Sequence, residues 1–226
     1  MNTIEISRPI KVWDLPTRLF HWALVFCLLG LLVSAQIGGS AMGWHFRFGY
    51  GVLTLVMFRF IWGFVGGRWS RFGSFAFSPA TALRYLKGSR LPEQEIGHNP
   101  LGSWSVFALL LFLLLQVTAG LFADDEISNA GPLVKYVSNA WVSNATFYHK
   151  SIGKYILLGL ITLHISAVAY HYIFKKDNLV TPMIKGFKVT GLESAESKDD
   201  ASSRLLAAGL FSLIALLVAW LINQTG

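Results

Sequence analysis

Cysteine and charge are both scarce in this sequence of 226 residues. The single cysteine, Cys27, lies in an apolar run, which excludes a disulfide framework and a cysteine-based metal site. No Cys-x-x-Cys-His motif is present, so no haem is attached covalently through that motif. Charged residues make up 14% of the chain, against about 25% in an average soluble domain. With 54% hydrophobic residues, the sequence is that of a membrane protein.

Long apolar runs define the predicted fold. A helix needs about 20 apolar residues to cross a bilayer, and the qualifying stretches are 17–37, 44–66, 102–123, 149–174 and 205–222. The predicted fold class is therefore all-α and integral to the membrane. We expect a four-helix transmembrane bundle in residues 1–190, a polar linker in 191–204 and a fifth, C-terminal transmembrane helix in 205–226. The first apolar run continues past Leu32 without a small-residue cleavage site, so we expect no signal-peptide cleavage.

The charges of the loops predict the orientation, because Lys and Arg concentrate on the cytoplasmic side. The loop after the third span opens with three acidic residues at 124–126. Basic residues cluster in the N-terminal segment and after the second and fourth spans: Arg8, Lys11, Arg18, Arg68, Arg71, Arg84, Lys87, Arg90, Lys175, Lys176, Lys185 and Lys188. The N-terminus is thus predicted to be cytoplasmic and the C-terminus external. These loops account for the net charge of +7 without a nucleic-acid partner.

The longest predicted external loop covers residues 127–148. It contains Pro132, Tyr136 and Trp141. The loop is either a docking surface for a partner or a plain connector.

Five of the six histidines lie in or at the ends of the predicted spans. At about 100° per residue, steps of 15 and 7 residues place His149, His164 and His171 on one stripe of one helix. Ionisable residues inside a membrane span are costly and usually functional. Since successive spans alternate in direction, His45 and His149 share the outer side, and His21 meets His164 or His171 on the inner side. The sequence predicts two bis-imidazole sites at different depths in one bundle.

Paired imidazoles without other ligands favour haem over a bare metal ion. A structural zinc site needs four ligands and usually includes thiolate, whereas each predicted site offers only two imidazoles. A six-coordinate haem iron takes two axial nitrogens, because its porphyrin supplies the other four. Saturated axial positions leave no place for a substrate on the iron. We therefore predict two haems that transfer electrons.

Cations and small residues near these histidines are candidate haem contacts. Arg59 is deep in the second span, where an unpaired charge is expensive, so a haem propionate is a candidate partner. Arg18 and Arg47 are candidates of the same kind, with ordinary snorkelling as the alternative. Small residues leave room for a flat cofactor but are common in membrane helices; they are Gly30, Gly49, Gly51, Gly120, Gly153 and Gly159.

His98 is left out of the ligand set because it is too shallow. It precedes Asn99 and Pro100. Asn followed by Pro is typical of a helix cap and a first helical residue. The third helix is thus predicted to begin there.

Four segments together resemble the bacterial cytochrome b561 family, which includes the b-type subunits of nickel-iron hydrogenases and thiosulfate reductases. They are VWDLPTRLFHW at 12–22, FRFIWGFVG at 58–66, GHNP at 97–100 and YHKSIGKYILLGLITLHISAVAYH at 148–171. The resemblance covers about residues 10–190. It implies a four-helix core that binds two haems b through His21, His45, His149 and His164.

The gap between His149 and His164 is slightly longer than we expect for such a helix. His171 is therefore the rival inner ligand. If it is not a ligand, it is a candidate contact of a propionate or a quinone.

The resemblance also implies electron exchange with the quinone pool and with a partner outside the membrane. The leading hypothesis is a dihaem cytochrome of the bacterial inner membrane that links quinone to a periplasmic redox protein, either hydrogenase-like or a cytochrome c. Such a chain is an electron-transfer subunit of a membrane oxidoreductase rather than a stand-alone enzyme. One alternative is a self-contained quinone oxidoreductase that takes electrons from superoxide. The other is a haem-free, histidine-lined transporter of protons or metal ions.

Overall fold

The computed structural model describes residues 8–88, 94, 96–192 and 194–225. Within these residues, five helical stretches are long and apolar enough to cross a membrane: Leu15–Ile37, Gly39–Val65, Pro100–Leu121, Asn139–Phe174 and Ala201–Gln224. A bilayer offers no water to backbone polar groups, so a crossing segment must satisfy them internally, as a helix does. The predicted all-α membrane fold with five spans is confirmed.

Shorter elements connect the long helices. The α-helices are α1 (Leu15–Ile37), α2 (Met42–Val65), α3 (Pro79–Leu86), α4 (Pro100–Leu121), α5 (Asn139–Phe147), α6 (Lys154–Phe174), α7 (Val180–Lys185) and α8 (Ala201–Thr225). The strands are β1 (Arg8–Lys11) and β2 (Phe187–Thr190). A π-helical turn, Tyr148–Gly153, joins α5 to α6.

Local sequence explains how these helices begin. The Asn99 side chain accepts a hydrogen bond from the Gly102 N–H at 2.8 Å, and Pro100 is the first residue of α4. This confirms the predicted start of the third span. Between α1 and α2, Gly38 and Gly39 have φ values of +65° and +50°. Glycine adopts such values without a steric cost, which permits a tight connection with no charged residue.

The fourth span begins earlier than the sequence predicted. Its apolar run starts at His149, but the helix begins at Asn139, after Ser138, whose side chain accepts from the Trp141 N–H at 3.4 Å. Residues 139–148, which we assigned to the external loop, are therefore helical. Polar residues at 139, 143 and 144 lower the hydropathy of this segment, so a hydropathy pattern does not identify it as helix. The Ser138 cap and the helix that follows nevertheless stabilise its helical conformation.

The chain forms two units. Unit 1 takes its described residues from Met1–Leu19, Phe60–Phe107 and Leu163–Ala207. Unit 2 takes them from Phe20–Arg59, Ala108–Thr162 and Ala208–Gly226. Each of the five long helices contributes residues to both units. The division at 190 and 204, made from the sequence, stays a prediction.

In unit 1, a short antiparallel sheet joins the segment before α1 to the segment after α7. β1 pairs with β2 in a register that runs from Arg8 opposite Thr190 to Lys11 opposite Phe187. Behind the sheet lies a buried apolar cluster: Ile10, Val12, Trp13, Trp69 and Ile96. Residues 8–13, just before the first span, are therefore part of a packed structure.

Asp14 is the polar centre of unit 1 and is fully buried, with 0% of its surface exposed. One carboxylate oxygen accepts from the Thr17 N–H at 2.8 Å and from Trp62 Nε1 at 3.2 Å. The other accepts from the Gly67 N–H at 3.0 Å and from Ser70 Oγ at 2.7 Å. Asp14 thus caps the start of α1 and holds it to the end of α2.

In unit 2, an apolar cluster joins three helices. Leu53 of α2 packs with Val117 and Leu121 of α4. Tyr50 and Val218 contact the same cluster, which brings α8 to the side of α2. This packing holds α2 against α4 and α8 within unit 2.

Candidate functional site

His45 and His149 lie together in unit 2. His45 is in the first turns of α2, and His149 is in the π-helical turn before α6. Their ring centroids are 6.2 Å apart, and the ring planes are nearly perpendicular at 89°. The structure therefore brings together the two histidines that the sequence assigned to the outer side.

Backbone carbonyls fix both rings. His45 Nδ1 is 3.2 Å from the Leu31 carbonyl oxygen, with Ser34 Oγ at 3.5 Å, and His149 Nδ1 is 2.9 Å from the Gln116 carbonyl oxygen. A carbonyl oxygen only accepts, so each Nδ1 carries the hydrogen and each Nε2 keeps its lone pair. Within the described chain, neither Nε2 has a hydrogen-bond partner. Both rings are therefore prepared to bind a metal through Nε2.

The spacing of the two rings fits a shared metal atom. An imidazole nitrogen binds a metal at about 2 Å, so one atom between two nitrogens separates the ring centroids by about 6 Å. The observed 6.2 Å agrees with this. No group of three or more His, Cys, Asp or Glu side chains that could hold a metal occurs among the described residues. A haem would fit such a pair, because it brings four of its own nitrogen ligands and needs only two from the protein.

The π-helical turn explains the spacing of the histidines along the fourth span. A π turn closes its hydrogen bonds over five residues instead of four, so it holds one more residue than an α-helical turn. The 15 residues from His149 to His164 therefore correspond to about 14 residues of regular α-helix. This accounts for the gap that is longer than the sequence resemblance led us to expect.

Gln116 and Gly120 of α4 contact His149; Gly120 was among the small residues named from the sequence, whereas Gln116 was missed. The Gln116 side chain donates to the His149 carbonyl oxygen at 2.9 Å, which satisfies a backbone group at the irregular turn. A Cβ on Gly120 would lie 2.8 Å from His149 Cε1, so the ring occupies the space next to this glycine. The available signal was Gln116 itself, a polar amide in the apolar run LLLQV.

His21 and His164, the predicted inner pair, belong to different units. His21 lies in α1 within unit 2, and its ring meets the Trp22 ring edge-on, with the centroids 5.0 Å apart. His164 is half-buried in α6 within unit 1.

His171 and Arg18 have contacts of their own in unit 1. His171 Nδ1 is 3.7 Å from an Asp177 carboxylate oxygen, and Lys188 Nζ is 3.1 Å from the other oxygen. Arg18 Nη1 donates to the Ile184 carbonyl oxygen at 2.6 Å. Arg18 Nε is buried and has no hydrogen-bond partner among the residues described. Part of this guanidinium group is therefore available to an anion.

Two further arginines of α2 differ in burial. Arg59 is 3% exposed, which is rare for an arginine inside a membrane span. Arg47 is exposed, and its guanidinium carbon lies 4.8 Å from the centre of the Trp44 ring. Arg47 thus has an aromatic partner at the end of the helix, as an interfacial residue does.

His98 lies between aromatic rings in unit 1. Its ring centroid is 4.7 Å from that of Trp13 and 4.3 Å from that of Phe75. These contacts give the residue a packing role, and its omission from the ligand set stays a prediction.

The Asp125 carboxylate organises the loop between α4 and α5. The Asn129 side-chain amide donates to it at 2.6 Å, and the backbone N–H groups of residues 127–129 donate at 2.9–3.0 Å. The bonds from Asn129 and its neighbours hold the pKa of Asp125 well below its usual range. Tyr136 and Trp141 are exposed in the segment that follows, which gives this side of unit 2 an acidic and aromatic surface.

Comparison with known proteins identifies the family. Residues 12–186 match the family described as prokaryotic cytochrome b561. A probable Ni/Fe-hydrogenase B-type cytochrome subunit of Bradyrhizobium diazoefficiens is 23% identical, over 80% of this chain and 87% of that protein. The probable Ni/Fe-hydrogenase 1 B-type cytochrome subunit of Escherichia coli K12 is 22% identical, over 78% and 89%. A probable Ni/Fe-hydrogenase B-type cytochrome subunit of Rhodobacter capsulatus is 25% identical, over 83% and 84%.

No solved structure gives a significant match to the chain. The family match nevertheless covers all four histidines of the predicted ligand set and four of the five spanning helices. The chain belongs to the prokaryotic cytochrome b561 family and is a multi-pass membrane b-type cytochrome that takes part in electron transfer.

Proposed function

We propose that this cytochrome binds two haems b and conducts electrons between the quinone pool and a redox protein outside the membrane. The observation that carries the proposal is the pair of His45 and His149, whose Nδ1 atoms are both held by backbone carbonyls. A haem with two axial imidazoles takes up and releases single electrons and has no open position for a substrate. The protein's part is to hold the two rings, tune their basicity and exclude water from them.

The proposed ligands form two pairs. His45 and His149 hold the outer haem, and His21 and His164 hold the inner haem. The second pair is supported by the spacing along the fourth span once the π turn is counted.

Buried cations near the proposed haems favour negatively charged propionates. Arg59 is almost fully buried, and Arg18 has a buried Nε without a partner in the described part of the chain. A propionate beside either group would receive charge-assisted hydrogen bonds. We propose both arginines as propionate partners, and His171 as a contact of a propionate or of a quinone at the inner side.

The proposed partner is a periplasmic redox protein. The similar proteins are named as subunits of Ni/Fe hydrogenases, so a hydrogenase-like protein is favoured over a cytochrome c. The loop charges support a cytoplasmic N-terminus and an external C-terminus, which places the loop after α4 on the periplasmic side. We propose that the partner docks there, against the exposed rings of Tyr136 and Trp141.

The purified protein is expected to contain two haems b per chain. A pyridine haemochrome assay, related to the protein concentration, measures this directly. Anaerobic addition of a quinol analogue, decylubiquinol or a soluble menaquinol, should then reduce both haems. One haem or none per chain would contradict the dihaem proposal, and two haems that no quinol reduces would contradict only the link to the quinone pool.

Gly120→Ala is expected to weaken the outer haem site selectively. The added methyl group meets the His149 ring at 2.8 Å, and the ring cannot turn away without losing the bond from Nδ1 to the Gln116 carbonyl. We expect the purified variant to retain between one and two haems per chain, with one of two electron-paramagnetic-resonance signals reduced or shifted. Gly209→Ala in α8 is the control, because a Cβ there meets no atom within 4 Å. Two unaltered haem signals in Gly120→Ala would contradict the assignment of His149.

A further inference from the structure

A cavity of about 1110 Å³ lies in unit 1, where α2 ends. It extends from Gly63 and Phe64, in the last turn of α2, to Arg68 and Arg71 in the connection that follows. All of its described lining residues belong to unit 1. Small-molecule sites in proteins typically measure about 300–1,000 Å³, so the volume suits a large ligand.

The two arginines of this cavity have no anionic partner. The described lining residues include no Asp or Glu. Within the described chain, neither guanidinium group forms an ion pair or a hydrogen bond. The Arg68 guanidinium carbon lies over the Trp69 ring, 5.5 Å from its centre. Two cations that line one cavity without a carboxylate favour a ligand that brings the negative charge.

A fixed turn carries both arginines. The Gly67 N–H and the Ser70 hydroxyl donate to the buried carboxylate of Asp14. The Arg71 N–H donates to the Gly67 carbonyl oxygen at 3.2 Å, and Trp69, between the two arginines, is only 8% exposed. The backbone that carries the cations is therefore ordered by the fold, which lowers the cost of ordering it on binding.

The other end of the cavity is apolar and belongs to a spanning helix. The Phe64 side chain is 73% exposed, and exposed apolar side chains of a spanning helix contact acyl chains. No residue of α3, which the structure describes in full, is buried. Its Leu83 and Leu86 are 53% and 63% exposed, as in a short helix that lies at a membrane surface. A ligand that fits both ends is thus amphipathic, with an anionic head and an apolar chain.

We propose that this cavity binds an anionic phospholipid, with its phosphate group at Arg68 and Arg71 and an acyl chain beside Phe64. Guanidinium groups donate charge-assisted hydrogen bonds to phosphate oxygens. The loop charges predict that this connection is cytoplasmic, and the cytoplasmic leaflet carries the anionic lipids that attract basic groups. The site goes beyond the proposed function, because it does not depend on the number of haems or on quinone.

The test is native mass spectrometry of the purified, haem-loaded protein, titrated in detergent with palmitoyl-oleoyl-phosphatidylglycerol or with phosphatidylcholine of the same chains. Phosphatidylglycerol should bind more tightly. The double variant Arg68→Gln with Arg71→Gln should lower its affinity at least about tenfold. The double variant Arg84→Gln with Lys87→Gln removes the same charge from residues that do not line the cavity. It should change the affinity less than about threefold.

Gly73→Leu tests the cavity without a change of charge. Gly73 lines the cavity, and a Cβ there meets no atom within 4 Å. The larger side chain therefore takes space from the ligand while both arginines remain, and the affinity for phosphatidylglycerol should fall. Gly209→Leu in α8 makes the same change away from the cavity, where a Cβ also meets no atom within 4 Å, and should leave the affinity unchanged. This pair decides the matter even if the double arginine variant does not fold.

Haem content and midpoint potentials are measured for every variant alongside the affinity. Equal affinities for the two lipids, equal effects of the two double variants, or an unchanged affinity in Gly73→Leu overturn the site. Displacement of phosphatidylglycerol by millimolar inorganic phosphate would identify a site for a free anion and overturn the lipid assignment. Loss of haem or a shifted midpoint in Arg68→Gln with Arg71→Gln, at unchanged lipid affinity, would make these arginines propionate partners and overturn the inference as well. The predicted order of lipid affinities in a protein with fewer than two haems would support the site and contradict only the dihaem proposal.

Discussion

His164→Ala is expected to lose one of two haems, whereas His171→Ala is expected to keep both. Removal of an axial imidazole leaves the iron with one strong protein ligand and an opened pocket, so the cofactor does not survive purification. His171 has an acidic neighbour, Asp177, at 3.7 Å. We expect its removal to change the surroundings of the inner haem without releasing it.

Helix geometry gives the reason for choosing His164. A helix rises about 1.5 Å per residue, and the π turn takes up one residue, so the 22 residues from His149 to His171 count as about 21 regular residues, or about 32 Å. This exceeds the roughly 30 Å of a bilayer's hydrocarbon core. The 15 residues to His164 count as about 14, or about 21 Å. Two haems held by His149 and His164 therefore both fit within the apolar layer.

The two variants are compared by haem content and by redox titration of the remaining haem. His149→Ala serves as the reference, because it should lose the other haem and leave a midpoint potential different from that of His164→Ala. A double variant, His149→Ala with His164→Ala, should contain no haem. If His171→Ala loses a haem and His164→Ala does not, the inner ligand is His171 and the dihaem proposal is unaffected.

Asp14→Ala is expected to lower the free energy of unfolding by about 3–5 kcal/mol. The substitution leaves the Trp62 and Ser70 donors and two backbone N–H groups without their acceptor in a fully buried position. It also removes the N-terminal cap of α1, which contributes about 1 kcal/mol on its own. The effect is large because one side chain serves four donors.

Denaturant titration in mild detergent, followed by fluorescence, measures this change. Glu196→Ala removes an exposed carboxylate of unit 1 and should alter the stability by less than about 0.5 kcal/mol. Asp14→Asn keeps one acceptor oxygen and should lie between the two, which provides a measurable variant even if Asp14→Ala does not fold. Equal stabilities of Asp14→Ala and Glu196→Ala would show that the network around Asp14 contributes nothing.

The sequence could predict the spans and the outer histidine pair, because the thickness of the bilayer and the alternating direction of successive spans determine both. Apolar length defines a crossing helix, and alternating direction assigns His45 and His149 to the same side. The π turn was not predictable, since no residue type marks the place where a helix takes in one extra residue. Its one sign in the sequence is the gap of 15 residues between His149 and His164, which is one residue longer than a regular helix of this kind would have.

Contacts between distant segments were equally hidden. Asp14 accepts hydrogen bonds from donors within residues 62–70. The local sequence WDLPT does not predict that these distant donors lie next to Asp14. The strands Arg8–Lys11 and Phe187–Thr190 are too short for a periodic pattern. In each case the local sequence is compatible with several partners, and packing selects one.

The pairing of β1 with β2 sets an order of events during synthesis. The N-terminal strand leaves the ribosome first, yet its partner Phe187–Thr190 follows four spanning helices later, and the Leu15 N–H finds its acceptor only at Asp199. Until then, the peptide groups of residues 8–11 have water as their only partner. The strand Arg8–Lys11 is thus closed into the fold only after the helices between the two strands have inserted, and a nascent chain cut before residue 190 should still expose it to protease.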